Sequence, residues 1–269
     1  IIAVPTTAGT AAEVTINYVI TDEEKRRKFV CADCHDIPVV AIIDPDMMSS
    51  MPKGLTAATG MDALTHAIEG YITKGAWELT DMMHLKAIEI IARSLRAAVE
   101  NDPKGREDMA LGQYVAGMGF SNVGLGIVHS MAHPLGAFYD TPHGVANALI
   151  LTEVMRYNAD DVPTKMGTFS QYQYPHALER YAELGRFAGC AGSTDEEVFE
   201  NFLAKLEVLK EKIGIKKTIR EYGIDESYFL DTLDEMVEQA FNDQCTGANP
   251  RYPLMKEIKE IYLKCYYGK

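Results

Sequence analysis

The sequence predicts a mainly α protein, in which a β-rich segment of residues 1–50 precedes a helical domain of residues 51–269. Short apolar or β-branched runs separated by Gly, Asp and Pro fill the first segment, which is typical of strands. After Pro45, apolar residues recur at spacings of three and four, which is typical of amphipathic helices. A strand-rich segment followed by a mainly helical segment is the arrangement expected of the second part of a two-domain α/β enzyme.

Strands are predicted at residues 1–4, 15–21 and 39–43, where apolar and β-branched residues cluster. The basic run at residues 25–28 is predicted to be a solvated turn. Residues 31–35, Cys-Ala-Asp-Cys-His, match the short pattern of covalent haem attachment, but no export signal accompanies them. We therefore interpret them as a surface loop between strands.

The helices of the second segment follow from the periodic apolar positions and from capping residues. Thr80 and Asp81 indicate the start of one helix, residues 101–103 its end, and Thr194 the start of another. Residues 160–175 are predicted to form a long loop. The predicted helices cover approximately residues 53–73, 78–100, 106–123, 143–157, 176–188, 194–213, 225–242 and 254–267.

Composition and charge exclude two classes of protein. With a net charge of -13, the chain has no basic stripe that could follow a nucleic-acid backbone. No run of about eighteen apolar residues is present, so no transmembrane helix is predicted. The five cysteines are irregularly spaced, which favours reduced thiols and a cytoplasmic location. The chain begins at Ile1 without an initiator Met or a signal-peptide pattern, so we expect further residues upstream.

One carboxylate and several histidines form a candidate metal site. Asp62 and His66 lie four residues apart in a helical pattern, so both side chains project from one helix face. His129 and His133 repeat that spacing, and His143 follows a proline at the start of the next helical run. A single buried histidine is more often a hydrogen-bonded core residue than a ligand. A carboxylate and a histidine flanked by Ala, Leu and Ile, however, require a compensating cation, and a divalent metal would supply it.

The donor set predicts the metal and its chemistry. One carboxylate with three neutral imidazoles suits Fe(II) or Zn(II), is too rich in nitrogen for Ca(II) or Mg(II), and lacks the thiolates of a structural zinc site. Such an ion binds an alcohol or aldehyde oxygen and prepares the adjacent carbon for hydride transfer. The sequence therefore predicts a metal centre that can activate a substrate oxygen.

Two glycine-containing segments are candidates for cofactor binding. Residues 6–13 form a hydroxyl-rich turn after a strand, which is either an ordinary turn or a source of donors for a phosphate or amide. Residues 117–124 do not supply the G-x-G-x-x-G pattern, because Asn122 occupies the last glycine position and the segment follows a helix. We expect these glycines to allow close helix packing.

Four segments carry the motifs of a known family: residues 5–15 (PTTAGTAAEVT), 60–69 (GMDALTHAIE), 129–136 (HSMAHPLG) and 142–148 (PHGVANA). Through them the chain resembles the iron-containing, or group III, alcohol dehydrogenases over essentially its whole length. The resemblance implies the all-helical metal-binding C-terminal domain of a dehydroquinate synthase-like two-domain enzyme, preceded by a short β remnant of the nucleotide-binding α/β domain. The rest of the family's nucleotide-binding half, with its Gly-Gly-Gly-Ser phosphate turn, has no counterpart in this sequence.

The resemblance also implies roles for individual residues. The family's iron ligands fall on Asp62, His66, His129 and His143, the residues that the donor chemistry favours. His133 matches a further active-site histidine that contacts substrate or relays a proton, and its position one helical turn after a ligand suits that role. The implied contacts of NAD(H) are Thr6, Thr7, Thr10 and Lys28. The implied residues of the substrate pocket are Asn17 and Phe120.

Three functional hypotheses follow from these similarities. Residues 1–150 are most similar to family members that reduce lactaldehyde, which predicts hydride transfer between NAD(H) and a small alcohol or aldehyde such as 1,2-propanediol or lactaldehyde. The last third is more similar to the alcohol dehydrogenase part of bifunctional aldehyde-alcohol dehydrogenases, which interconvert acetaldehyde and ethanol. The third hypothesis is a truncated, non-catalytic metal-binding helical module.

The expected partners are a small alcohol or aldehyde and further copies of the chain in a homo-oligomer, without nucleic acid or membrane. If the 269 residues are the whole polypeptide, we expect metal binding with little or no turnover, because half of the cofactor site is missing. The donors do not separate Fe from Zn. The residues that would separate NAD from NADP lie in the missing half.

Overall fold

The computed structural model of the chain describes residues 1–165 and 172–268. Helices dominate it, which confirms the predicted mainly α fold class. No described helix combines the length and the hydropathy that a membrane crossing requires. Within the described residues, the helices are α1 (Lys53–Ile72), α2 (Glu78–Val99), α3 (Pro103–Val123), α4 (Ile127–Tyr139), α5 (His143–Ala159), α6 (Ala177–Phe187), α7 (Asp195–Lys212), α8 (Glu226–Phe241) and α9 (Met255–Tyr267).

Two of these helices differ from the prediction. α3 begins at Pro103, three residues early, because proline suits the first helical position and Asp102 accepts the Gly105 N–H at 2.7 Å as a cap. The prediction lacks α4 altogether. Its sequence contains Pro134, which removes one intrahelical hydrogen bond. Burial of most of its residues compensates for this loss, so tertiary packing rather than helix propensity determines α4.

Short strands form the first segment, as predicted. β1 (Ile2–Ala3) pairs in parallel with β4 (Val40–Ala41). β2 (Asn17–Asp22) pairs with β3 (Arg27–Ala32) in an antiparallel hairpin, in which Tyr18 lies opposite Cys31. The hairpin lies against the helices, where β3 packs against α4.

Because of β3, the turn and the loop predicted around the hairpin have different bounds in the structure. The solvated turn predicted at residues 25–28 is confined to residues 23–26, and the loop predicted at residues 31–35 begins only after Ala32. The strand was not predicted because its first residues, Arg27 and Lys28, are charged, although the aromatic Phe29 and the β-branched Val30 are typical of strands.

The long loop predicted at residues 160–175 is partly wrong. Its described part contains β5 (Thr164–Lys165) and β6 (Tyr172–Gln173), which pair antiparallel. The middle of that prediction, residues 166–171, lies outside the described residues.

α1 lies at the centre of the core. Sixteen of its twenty residues are buried, and α2, α3 and α5 pack around it. A helix that is enclosed in this way carries its polar residues inside the protein. Asp62, His66 and Glu69 are each at most 4% exposed. Because buried polar groups need partners, this stretch of α1 is where a functional site is expected.

The glycines of residues 117–124 permit close packing, as predicted. A Cβ on Gly119 would lie 2.4 Å from His84 Nε2. A Cβ on Gly117 would lie 2.3 Å from the Cβ of Ala11, so this glycine brings the loop that contains Ala11 against α3.

Candidate metal centre

The middle of α1 and the first turns of α4 and α5 converge on one point in the core. Asp62 Oδ1 lies 3.7 Å from His66 Nε2 and also 3.7 Å from His129 Nε2. The same oxygen is 3.6 Å from His143 Nε2. Ligand atoms of Asp62, His129 and His143 all lie within 4.8 Å of one another. The structure therefore brings together the four side chains that the sequence predicts as ligands.

The local sequence explains how the helices position these side chains. Asp62 and His66 are one turn apart on a single face of α1. His143 is the first residue of α5, and Gly144 after it lets α5 cross α1 closely. A Cβ at Gly144 would lie only 1.8 Å from the carbonyl oxygen of Ala58.

Electrostatics favour the anionic form of Asp62. Its carboxylate is almost fully buried, and within the described residues its ion pairs are with imidazoles alone. Burial would by itself raise the pKa of Asp62. The charges of His66, His143 and His129 nearby outweigh burial and hold that pKa below its usual range.

Two of the imidazoles have opposite pKa shifts. Burial lowers the pKa of His66 to about 4, so its ring is neutral at pH 7 and offers a lone pair. Burial acts in the same direction on His129, but the carboxylates of Asp62, 3.7 Å from Nε2, and of Glu69, hydrogen-bonded to Nδ1, outweigh it and raise that pKa to about 9. A divalent ion would take the place of the proton on His129 Nε2. A buried carboxylate surrounded by imidazole nitrogens thus fits Fe(II) or Zn(II).

Two polar side chains that the sequence reasoning missed contact the predicted ligands. Asn147 Nδ2 donates to Asp62 Oδ1 at 2.8 Å. Glu69 Oε2 lies 2.6 Å from His129 Nδ1. Helical spacing could have identified both, because each lies one turn after a predicted ligand on its own helix.

His133 lies beside the converging ligands. Its ring stacks on that of His143 with centroids 5.4 Å apart, and its Nδ1 is 2.8 Å from Asp243 Oδ2. Burial would raise the pKa of Asp243, but the hydrogen bond with His133 outweighs burial and lowers it. The sequence reasoning also missed Asp243, which is 110 residues from its partner and offers no local signal.

A cavity of about 590 Å³ opens beside the four predicted ligands. Apolar groups from the hairpin and from the loops after α3 and α8 form much of its wall, including Val19, Leu125 and Cys245. The ring of Phe120 stacks on that of His66, with centroids 4.3 Å apart. The predicted site residues that line the cavity are Thr10, Asn17, Asp62, His66, Phe120, His129, His133 and His143.

The remaining predicted cofactor contacts lie outside this lining. Thr6 is exposed and Thr7 is half-buried, in the same loop as Thr10. Lys28 Nζ donates to Thr21 Oγ1 at 3.4 Å, and the stem of Lys28 runs along α4. The contact of these residues with a cofactor stays a prediction.

Comparison with known proteins gives a consistent family signal over both parts of the chain. The profile of the "Fe-containing alcohol dehydrogenase family, C-terminal" matches residues 56–266. The profile of "Iron-containing alcohol dehydrogenase" matches residues 1–45.

Individual relatives agree with the profiles. The chain is 56% identical to lactaldehyde reductase of Escherichia coli (strain K12) over 264 residues, which cover 97% of this chain and 64% of that protein. It is 45% identical to the bifunctional aldehyde-alcohol dehydrogenase of the same organism, covering 100% of this chain and 31% of that protein. The crystal structure of a 1,3-propanediol oxidoreductase matches with a TM-score of 0.87 at 40% identity, covering 98% of this chain and 65% of that one. The chain thus spans less than two thirds of the length of each of these proteins.

Proposed function

The chain belongs to the iron-containing alcohol dehydrogenase family, and we propose from this premise that the whole protein transfers hydride between NAD(H) and a small alcohol or aldehyde. The observation that carries the proposal is the position of the donor set. One carboxylate oxygen has three imidazole nitrogens within 3.7 Å, and this group forms part of the wall of a cavity that can receive an organic substrate.

Asp62, His66, His129 and His143 would hold the metal, which the family indicates is Fe(II). Zn(II) accepts the same donors, so the ion that is bound depends on availability. The chemistry that the ion supplies when bound is Lewis-acid polarisation of a substrate oxygen. The chain's own contribution is to hold the four donor groups together, three of them deeply buried, and to fix their direction.

His133 is proposed to hold and deliver the proton of the reaction. Its Nδ1 is engaged by Asp243, which leaves Nε2 available on the side of the cavity. A carboxylate behind the imidazole fixes the ring orientation. Proton transfer at Nε2 then accompanies hydride transfer at the substrate carbon.

The cavity wall favours a short, mostly apolar substrate. Val19 and Leu125 form part of this wall, and burial raises the pKa of Cys245 so that its thiol stays neutral. Lactaldehyde and 1,2-propanediol are the first candidates, because the relative at 56% identity is a lactaldehyde reductase. Acetaldehyde and ethanol are the second, because of the similarity to a bifunctional aldehyde-alcohol dehydrogenase.

Further parts of the proposal concern the whole protein. Residues 1–50 are proposed to complete a nucleotide-binding domain and residues 51–269 to form the catalytic one. We also propose that the protein is a homo-oligomer. We further propose a cytoplasmic location, which is supported by the five cysteines being free thiols. The residues proposed to contact NAD(H) are Thr6, Thr7, Thr10 and Lys28, and those proposed to border the substrate are Asn17 and Phe120.

An anaerobic purification with elemental analysis and an aldehyde panel tests the function. The complete product of the gene is expected to contain Fe or Zn and to oxidise NADH with lactaldehyde or acetaldehyde. The variant His143→Ala, which lacks one proposed ligand, is the negative control. Bound metal without turnover on the panel would instead favour a non-catalytic metal-binding module. Absence of bound metal would overturn the proposal.

A further inference from the structure

We propose that Glu69 is the positioning residue of this metal centre, which fixes the tautomer and direction of His129. The inference rests on the proposed function, because it assumes that the four converging side chains hold a metal. It assigns a role to a residue that is not itself a ligand.

Within the described residues, the hydrogen bonds of the Glu69 carboxylate all go to the start of α4. Glu69 is 1% exposed on α1, and its Oε2 lies 2.6 Å from His129 Nδ1. Oε1 accepts the backbone N–H of Val128 at 2.8 Å, and Oε2 accepts that of His129 at 3.3 Å. Within the described residues the only ion pair of this carboxylate is with His129. A buried negative charge is therefore balanced by N–H groups of a single helix end.

These contacts determine which nitrogen of His129 carries a proton. The two backbone groups can only donate, and the N-terminus of a helix favours negative charge, so the ionised carboxylate fits this position. An ionised carboxylate only accepts hydrogen bonds, which requires the proton on Nδ1 of His129. Nε2 is then free to bind a metal, and it is the nitrogen that lies 3.7 Å from Asp62 Oδ1.

The same helix end contains a second capping side chain that does not reach the imidazole. Asn249 Oδ1 accepts the N–H of Ile127 at 3.2 Å. Gly126 makes room for both caps, since a Cβ there would lie 2.6 Å from Glu69 Oε1 and 2.7 Å from Asn249 Oδ1. Asn249 therefore shares the capping role of Glu69 but lacks its contact with His129, which makes Asn249 a matched control.

Metal affinity, measured without any turnover, tests the proposal. Zn(II) is titrated against a competing chelator into wild-type protein, Glu69→Gln and Asn249→Ala, and Co(II) absorption reports the geometry of the bound ion. In Glu69→Gln the amide NH2 would face His129 Nδ1 and favour the proton on Nε2. Affinity is expected to fall roughly 10- to 100-fold, with altered Co(II) bands. Asn249→Ala is expected to lower thermal stability but to keep wild-type affinity and bands.

The outcomes separate this inference from the proposed function. Wild-type protein that binds no Zn(II) would overturn both. Wild-type binding with unchanged affinity in Glu69→Gln would overturn the role of Glu69 alone. Equal losses in Glu69→Gln and Asn249→Ala would also overturn it, because they would reduce Glu69 to a helix cap. If Glu69→Gln does not fold, Glu69→Asp takes its place in the titration. Its shorter carboxylate is expected to weaken Zn(II) binding at least about 10-fold. Zn(II) binding as tight as that of the wild type would overturn the proposal.

Discussion

Replacing Gly144 by Ala is expected to separate α5 from α1 and to take the metal site apart. The new Cβ would lie 1.8 Å from the carbonyl oxygen of Ala58 and 2.5 Å from its carbonyl carbon. Both are backbone atoms, so no side chain can turn away. Restoring ordinary contact at 3.4 Å requires the two helices to move apart by roughly 1.6 Å.

This separation should affect both the stability of the protein and its binding of the metal. Overpacking of this kind destabilises a protein by about 1–3 kcal/mol, which for a chain of this length lowers Tm by about 2–12 °C. Asp62 lies on α1, and His143 precedes Gly144 on α5, with 3.6 Å between Asp62 Oδ1 and His143 Nε2. Metal bonds of about 2.0–2.2 Å tolerate displacements of only about 0.2 Å, so a shift of this size should abolish tight binding.

Thermal unfolding with and without Zn(II), together with elemental analysis, measures both effects. Gly54→Ala is the control, because Gly54 lies in the first turn of α1 with nothing within 4 Å of a Cβ. That substitution is expected to be neutral or to stabilise by up to about 1 kcal/mol. A Gly144→Ala protein with the Tm and metal content of the wild type would refute the argument from close helix crossing.

Three other predictions concern single side chains. His143→Ala removes a proposed ligand and should lower Zn(II) affinity by at least about tenfold in the chelator titration, and wild-type affinity would count against the ligand set. Burial lowers the pKa of His84 from 6.5 to about 3, so protonation of the unfolded chain should erode stability as the pH falls from 6.5 toward 3. Urea unfolding at pH 7 and pH 5 should show that His84→Leu loses less unfolding free energy than the wild type as the pH falls. The difference should be at most about 1.4 kcal/mol per pH unit, and equal losses in the two proteins would exclude this role of His84. Phe120→Ala removes a ring that stacks on His66 and lines the cavity, so kcat/KM of the complete enzyme should shift toward longer aldehydes. An unchanged aldehyde preference would show that Phe120 does not limit the pocket.

Local spacing predicted much of the cluster of residues that forms the candidate metal centre. Asp62 and His66 were recognisable because residues four apart in a helix project from the same face. The bounds of α1 were predicted to within one residue. The same rule connected His129 with His133, although their helix was not predicted. Pro134 and Gly136 inside α4 lower its intrinsic helix propensity, and burial restores the helix.

The supporting residues show where local reasoning ends. Glu69 follows His66 by three residues, so the helical face that carries the ligands also carries this carboxylate. Asp243 approaches His133 only because α8 packs against α4, and no pattern in the sequence encodes that packing. Residue types and intrahelical spacing are local, whereas the pairing of helices depends on the whole core.

The ligand set and the helix that carries part of it depend on each other. α4 has a proline in its interior, and its first turn is capped by Glu69 from α1 and by Asn249 from beyond α8. A helix with weak intrinsic propensity forms only when its tertiary partners are in place. Because Glu69 both caps α4 and orients His129, folding of this helix end and alignment of the imidazole occur together. Metal binding should consequently protect the amide hydrogens of the first turn of α4 from exchange, and it should protect those of the distant α7 less.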